Sequence, residues 1–74
     1  MYITITMELG EKCFDVQIDD LQTLNNGVEI LKTSGKYMGH IVDFYRSRMQ
    51  CGIVSGYQTF ADAGICSGDV LTQI

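Results

Sequence analysis

Residues 2 to 7 alternate strictly, with Ile3, Ile5 and Met7 pointing one way and Tyr2, Thr4 and Thr6 the other. A period of two in β-branched residues predicts a strand with one buried face. Gly10-Glu11 breaks the pattern. Residues 12 to 18 then alternate again, with Phe14, Val16 and Ile18 in register and Cys13, Asp15 and Gln17 opposite. Two such strands joined by a short Gly-containing turn predict a β-hairpin. After Asp19-Asp20 the period changes. Thr23 is placed to cap a helix whose stripe is Leu24, Val28 and Leu31, at i, i+4 and i+7, and Gly35 is a fitting stop. Asn25-Asn26-Gly27 argues against a helix, since Asn-Gly is a turn signal and an interior Gly costs about 1 kcal/mol relative to Ala. The stripe runs through Gly27, so a helix is expected, with the small residue letting it sit close on a sheet.

The remainder is shorter in period. Lys36 to His40 reads as a loop. Ile41 to Ser47 reads as a third strand, with Val42 and Phe44 inward and Asp43 and Tyr45 outward. Arg48 to Gly52 turns the chain into a very short strand, Ile53-Val54, stopped by Ser55-Gly56. Phe60 to Ile65 reads as one helical turn ended by a left-handed Gly64, and Val70 to Ile74 as a last strand. Hairpin, helix, strand, short strand, turn and strand make a ββαββ order. For one helix to cover the sheet, the first and last strands must lie side by side in its middle, which a right-handed crossover permits. The expected fold is α+β, a β-grasp with one helix on a mixed sheet, forming a single domain over residues 1–74. Its expected core is Ile3, Ile5, Phe14, Val16, Ile18, Leu24, Val28, Leu31, Val42, Phe44, Phe60, Ile65 and Leu71.

Composition narrows the function. Nine acids against five bases give a net charge of −4. No basic stripe exists to neutralise phosphates, so a nucleic-acid partner is not expected. The opening residues carry no basic n-region and no apolar h-region, and no run is long enough to span a membrane. A cytoplasmic protein is expected, reaching the inner face of a membrane only through a partner. Three cysteines, Cys13, Cys51 and Cys66, have no CxxC spacing and read as reduced thiols.

Candidate chemistry is sparse. Nucleophilic catalysis needs a thiolate and a base within hydrogen-bond reach, yet His40 and the three cysteines fall in four separate segments. One His without ligand spacing makes no metal site, and no Gly-rich phosphate loop is present. The carboxylates are scattered, with Asp62 and Asp69 read as turn residues and Asp15 and Asp43 as solvent-facing. No enzyme, cofactor or metal is expected.

The opening alternation, Thr23 before Leu24, Val28 and Leu31, and Phe60-Ala61-Asp62-Ala63-Gly64-Ile65 before the last strand together resemble a ubiquitin-fold protein. Residues Ile53 to Leu71 carry a hydrophobic pair, Ser-Gly, a large apolar residue, Asp-x-Gly-Ile and Gly-Asp-x-Leu. In this the chain is most similar to the small bacterial YukD/EsaB-like proteins, encoded with the type VII (WXG-type) secretion machinery of Gram-positive bacteria. Gln73 departs from that pattern, standing where such proteins usually place an apolar residue. The resemblance implies a non-catalytic accessory or regulatory protein that docks on membrane-embedded type VII secretion components. The alternative, a ubiquitin-like or sulfur carrier activated at its tail, is disfavoured because the sequence ends Leu71-Thr72-Gln73-Ile74 without Gly-Gly.

Ubiquitin-like domains commonly bind partners with the open face of the sheet. On the expected register Tyr45 lies there beside Val70 and Ile74, with Arg46 and Arg48 as a polar rim. An exposed aromatic flanked by aliphatics suits an interface core; the same residues also read as scattered surface apolar groups. The expected interaction residues are Tyr45, Arg46, Val70 and Ile74, and the same patch is expected to support a weak homodimer in competition with the partner.

Overall fold

The computed structural model describes residues 1–74. Its elements are β1 (Tyr2–Leu9), β2 (Lys12–Asp19), α1 (Leu24–Thr33), β3 (Phe44–Ser47), β4 (Gly52–Ser55) and β5 (Val70–Gln73). The strands form one sheet in the order β2-β1-β5-β3-β4. β1 and β5 run parallel, while the other neighbours are antiparallel. The first and last strands are therefore adjacent inside the sheet, as one covering helix requires. This is the mixed-sheet β-grasp architecture.

The hairpin follows its alternation. Ile3, Ile5, Met7, Leu9, Val16 and Ile18 are all buried on one face. β1 continues two residues past Met7, so Leu9 joins the core at the next inward position. α1 lays Leu24, Val28 and Leu31 on this face, fully or almost fully buried. The Thr23 hydroxyl accepts the Asn26 N–H at 3.1 Å, the expected N-cap. At the other end the Gly35 N–H reaches Lys32 O and the Lys36 N–H reaches Leu31 O, both at 3.0 Å. That is a Schellman closure, and Gly35 takes the left-handed φ of +77° it needs.

The turn after β4 is built the same way. Thr59 accepts the Asp62 N–H at 3.0 Å, the Ile65 N–H reaches Phe60 O at 2.9 Å, and Gly64 has φ +73°. Thr59, not Asp62, does the capping there. Phe60 and Ile65 drop into the core as expected.

Three core assignments change. Phe14 and Val42 only pack against the core from its margin, and Phe44 is 52% exposed. Met7, Leu9, Tyr45 and Val54 are buried in addition to the expected set. β3 begins at Phe44 rather than Ile41, because residues 41–43 are not in the ladder. Alternation counted from Val42 therefore does not carry into the strand.

Asp69 is a buried carboxylate, 1% exposed. It accepts from the Ser47 hydroxyl, from the Met49 N–H at 3.0 Å and from the Val70 N–H at 2.7 Å. It thereby ties the β3–β4 turn to the start of β5. Asp69→Ala would remove the carboxylate acceptor of a buried hydroxyl and two backbone N–H groups, and should lower stability by roughly 2–4 kcal/mol in urea denaturation.

Gly27 sits in the helix over the core. A methyl group there would meet Phe60 at 3.4 Å, Met7 at 3.5 Å and Ile18 at 3.6 Å, which is ordinary contact. The position accepts Ala without displacing the helix. Gly27→Ala should therefore raise stability by about 0.5–1 kcal/mol, through helix propensity and a less flexible unfolded chain. A lowered melting temperature would show that the helix needs the smaller residue.

Candidate functional site

β3 decides what the domain presents. Its four residues alternate Phe44 out, Tyr45 in, Arg46 out and Ser47 in, and Tyr45 and Ser47 have no exposed surface. Tyr45 therefore does not lie on the solvent face. Its ring fills the core and its hydroxyl donates to Asn25 Oδ1 at 2.7 Å. Asn25 lies in the first helical turn, 5% exposed, and its Nδ2 donates to Val42 O at 2.9 Å. The Asn25 N–H also reaches Gly56 O at 2.9 Å. A Cβ at Gly56 would come within 2.6 Å of both Asn25 Nδ2 and Val42 O, so a side chain there is sterically excluded. Ser47 is inward because Asp69 awaits its hydroxyl.

The opposite face of the sheet is open. Across it runs one register row: Cys13 on β2, Glu8 on β1, Thr72 on β5, Arg46 on β3 and Ile53 on β4. Phe44 lies two pairs further along, opposite Ser55, and its carbonyl accepts the Ile74 N–H at 3.2 Å. Phe44 and Ile53 are thus diagonal neighbours, roughly 7–8 Å apart at Cα for such pairs. Phe44, Ile53 and Ile74 are 52%, 58% and 60% exposed. Half-buried Val70 shares the face but lies toward its other end, four residues along the chain from Ile74, paired with Thr6 on one side and receiving the Arg48 N–H at its carbonyl on the other.

Of the expected interaction residues, Arg46, Val70 and Ile74 are on this face; Tyr45 is on the other. Phe44 and Ile53 occupy it instead. The sequence carried a signal for this. Arg46 and Arg48 share the parity of Phe44, and two arginines seldom point into a core this small. Tyr45 and Arg46, as chain neighbours in a strand, could not share a face.

Electrostatics on this face are asymmetric. Both arginines of the chain, Arg46 and Arg48, lie beside the apolar group, against a net charge of −4. Arg48 approaches Glu8 at 3.8 Å, but the pair is largely exposed and contributes little. Glu8 also accepts from the Thr72 hydroxyl at 2.7 Å.

Elsewhere the surface offers little chemistry. Cys13, Cys51 and Cys66 are exposed and unpaired, in three separate segments, and His40 is exposed in the loop before β3. No group of three His, Cys, Asp or Glu side chains could hold a metal ion. The grooves are shallow and open; the one lined by Leu9, Glu11, Lys12, Lys36 and Tyr37 holds a carboxylate and two lysines but no thiol or imidazole. No helix is long and apolar enough to cross a membrane. The polar Gln73 occupies an inward position of β5. It accepts from the Tyr37 hydroxyl at 3.2 Å and donates to His40 O at 2.9 Å, pinning the loop to the sheet.

The helix-covered mixed sheet, with its free outer face, defines a β-grasp domain of the ubiquitin-like kind. The solved structures that share it include two ubiquitin-like domains. One is the ubiquitin-like domain of Arabidopsis thaliana protein At2g32350, with a TM-score of 0.65 and 14% identity over 96% of this chain and 73% of that one. The other is the UBL domain of Plasmodium falciparum Dsk2, with a TM-score of 0.57 and 18% identity over 100% of each chain. At such identities the likeness is one of fold. Compared by sequence, the chain matches no family model and no curated protein.

Burial pushes the Tyr45 phenol above its ordinary value of 10.0. The folded state therefore favours the neutral phenol. This contribution is complete below about pH 10 and is lost as pH rises toward the higher folded value. Tyr45→Phe should remove that share of the alkaline loss. It should also cost about 1–3 kcal/mol at neutral pH, because Asn25 Oδ1 is left buried without a donor. Urea denaturation of both proteins at neutral pH and above the tyrosine range separates the two effects. Equal stability of the two at neutral pH would mean that the Tyr45–Asn25 bond is not formed.

Proposed function

We propose that this chain is a non-catalytic recognition module that binds a protein partner with the open face of its sheet. The observation that supports it is the grouping of Phe44, Ile53 and Ile74, each more than half exposed, on or just beyond three adjacent strands. Apolar side chains on a fixed sheet lose little conformational freedom on binding, and Arg is favoured at interfaces. The complementary partner offers aliphatic or aromatic anchors with carboxylates facing Arg46 and Arg48. Because those charges lie at the rim, they should affect the association rate and its salt dependence more than the lifetime of the complex.

The resemblance of residues 53–71 to YukD/EsaB-like proteins supports a finer reading. In it the partner is a membrane-embedded component of a type VII secretion system, and the chain is its cytosolic accessory or regulatory protein. Neighbouring genes for a WXG-motif protein and an FtsK-like ATPase are the cheapest test of that part, and their absence would overturn it.

The face itself is tested by Phe44→Glu, with Ile30→Glu on the exposed side of the helix as the control. Phe44 points away from the core, so the variant should stay folded by circular dichroism. Binding to the cytosolic region of the secretion subunit, measured by calorimetry, should fall at least about tenfold for Phe44→Glu, as for loss of a central anchor. Binding should be unchanged for Ile30→Glu. Sedimentation at several concentrations should show a weak dimer for wild type and a monomer for Phe44→Glu. Unaltered binding by folded Phe44→Glu would sink the assignment of this face.

A further inference from the structure

Asn26-Gly27 is the one Asn-Gly pair in the chain. In an unfolded chain this pair deamidates readily, because Gly imposes no side chain on the attack of its own nitrogen. The backbone nitrogen of Gly27 attacks Asn26 Cγ. The N–Cγ bond forms, the Cγ–Nδ2 bond breaks, and ammonia leaves with the proton that base has taken from Gly27 N–H. Water then opens the cyclic imide at either carbonyl, giving aspartate or isoaspartate in place of Asn26.

The fold obstructs each requirement. The pair lies in the first turns of α1, where helical ψ turns the Gly27 nitrogen away from the Asn26 side chain. The Gly27 N–H is committed to Thr23 O at 3.2 Å. Asn26 Nδ2 donates to Gln22 Oε1, and the Asn26 N–H is held by the Thr23 hydroxyl at 3.1 Å. Gly27 itself is buried against Phe60, Met7 and Ile18.

We infer that Asn26 is a modification site gated by opening of the first turn of α1, so that its conversion records how often that turn has opened. The two products have opposite consequences. The aspartate product places a negative charge in the first turn, where the helix dipole favours it. Isoaspartate inserts an extra backbone methylene. The turn cannot then close, and Asn25 is drawn away from Tyr45 and Val42. An opened molecule that forms isoaspartate is thereby prevented from regaining the native packing of β3 under the helix.

The test incubates the full chain at mildly alkaline pH, natively and across a urea series. Deamidation is read by peptide mass, and isoaspartate by enzymatic methylation. The mass gain should map to Asn26 and be slow in the native state. Its rate should rise with urea in step with the open fraction, up to the rate of the fully unfolded chain. Thr23→Ala, which removes the cap, should accelerate it about threefold to tenfold under native conditions. If that variant does not fold, the wild-type urea series still decides. Gly27→Ala should slow it in both states. Equal native and unfolded rates, or a mass gain at Asn25 or any Gln, would overturn the inference.

Discussion

The orientation of β3 rests on Asn25. This one side chain, in the first turn of the helix, accepts the Tyr45 hydroxyl and donates to the Val42 carbonyl. Its backbone reaches Gly56 on the far side of β4. Apolar burial brings the helix onto the sheet but does not choose which face of a four-residue strand turns inward. Phe44 and Tyr45 offer similar apolar area, and area alone leaves the choice nearly balanced. The hydroxyl breaks the tie. With Tyr45 inward its polar end meets an acceptor at the helix start. A one-residue shift would bury Arg46 and leave Asn25 without its donor, at the full desolvation cost of both groups.

Much of the fold was legible because most elements obey simple periods. The hairpin alternates over its whole length, the helix stripe is regular, and Thr23, Gly35 and Gly64 act as caps and stops by mechanisms that local sequence carries. The central pairing of first and last strands followed from having one helix and a sheet to cover. The candidate site was less legible, for a physical reason. Ile41-Val42-Asp43 continues an alternating pattern but lies outside the paired residues of β3, whose ladder starts at Phe44. The phase counted from it is therefore off by one at Tyr45. Nothing local announces where a ladder begins. The arginines at 46 and 48 do announce which side faces water, and their parity was the better guide. The burial of Asp69 is not legible locally, because the Ser47 hydroxyl and the Met49 N–H that donate to it lie far from it along the chain.

The two halves of the sheet are held by different physics. β1 and β2 turn an almost wholly aliphatic face to the helix, where burial is non-directional and tolerant of shape. The later strands turn Tyr45, Ser47 and Gln73 inward, with Asp69 at the start of β5. Each of these groups finds a named partner, and no buried side-chain nitrogen or oxygen is left without one. Hydrogen bonds specify direction and register in a way that apolar contact does not. The short strands β3, β4 and β5 have only four residues each, too few for alternation alone to fix their register. The polar contacts do so instead.

This arrangement separates the two faces of one strand. The inward side chains of β3 answer to Asn25 and Asp69, while Phe44 and Arg46 on the outward side make none of those contacts. With a side-chain period of two, the faces are separated by the backbone itself. The recognition proposed for Phe44 and the stability that rests on Tyr45 would thus be carried by neighbouring residues that share no side-chain contact. The coupling between them runs through strand geometry alone: Phe44 is aimed only as well as Tyr45 and Ser47 are anchored. Loosening Asn25 would thus blur the open face without touching any residue on it. The precision of the apolar group on the outside is set by hydrogen bonds on the inside.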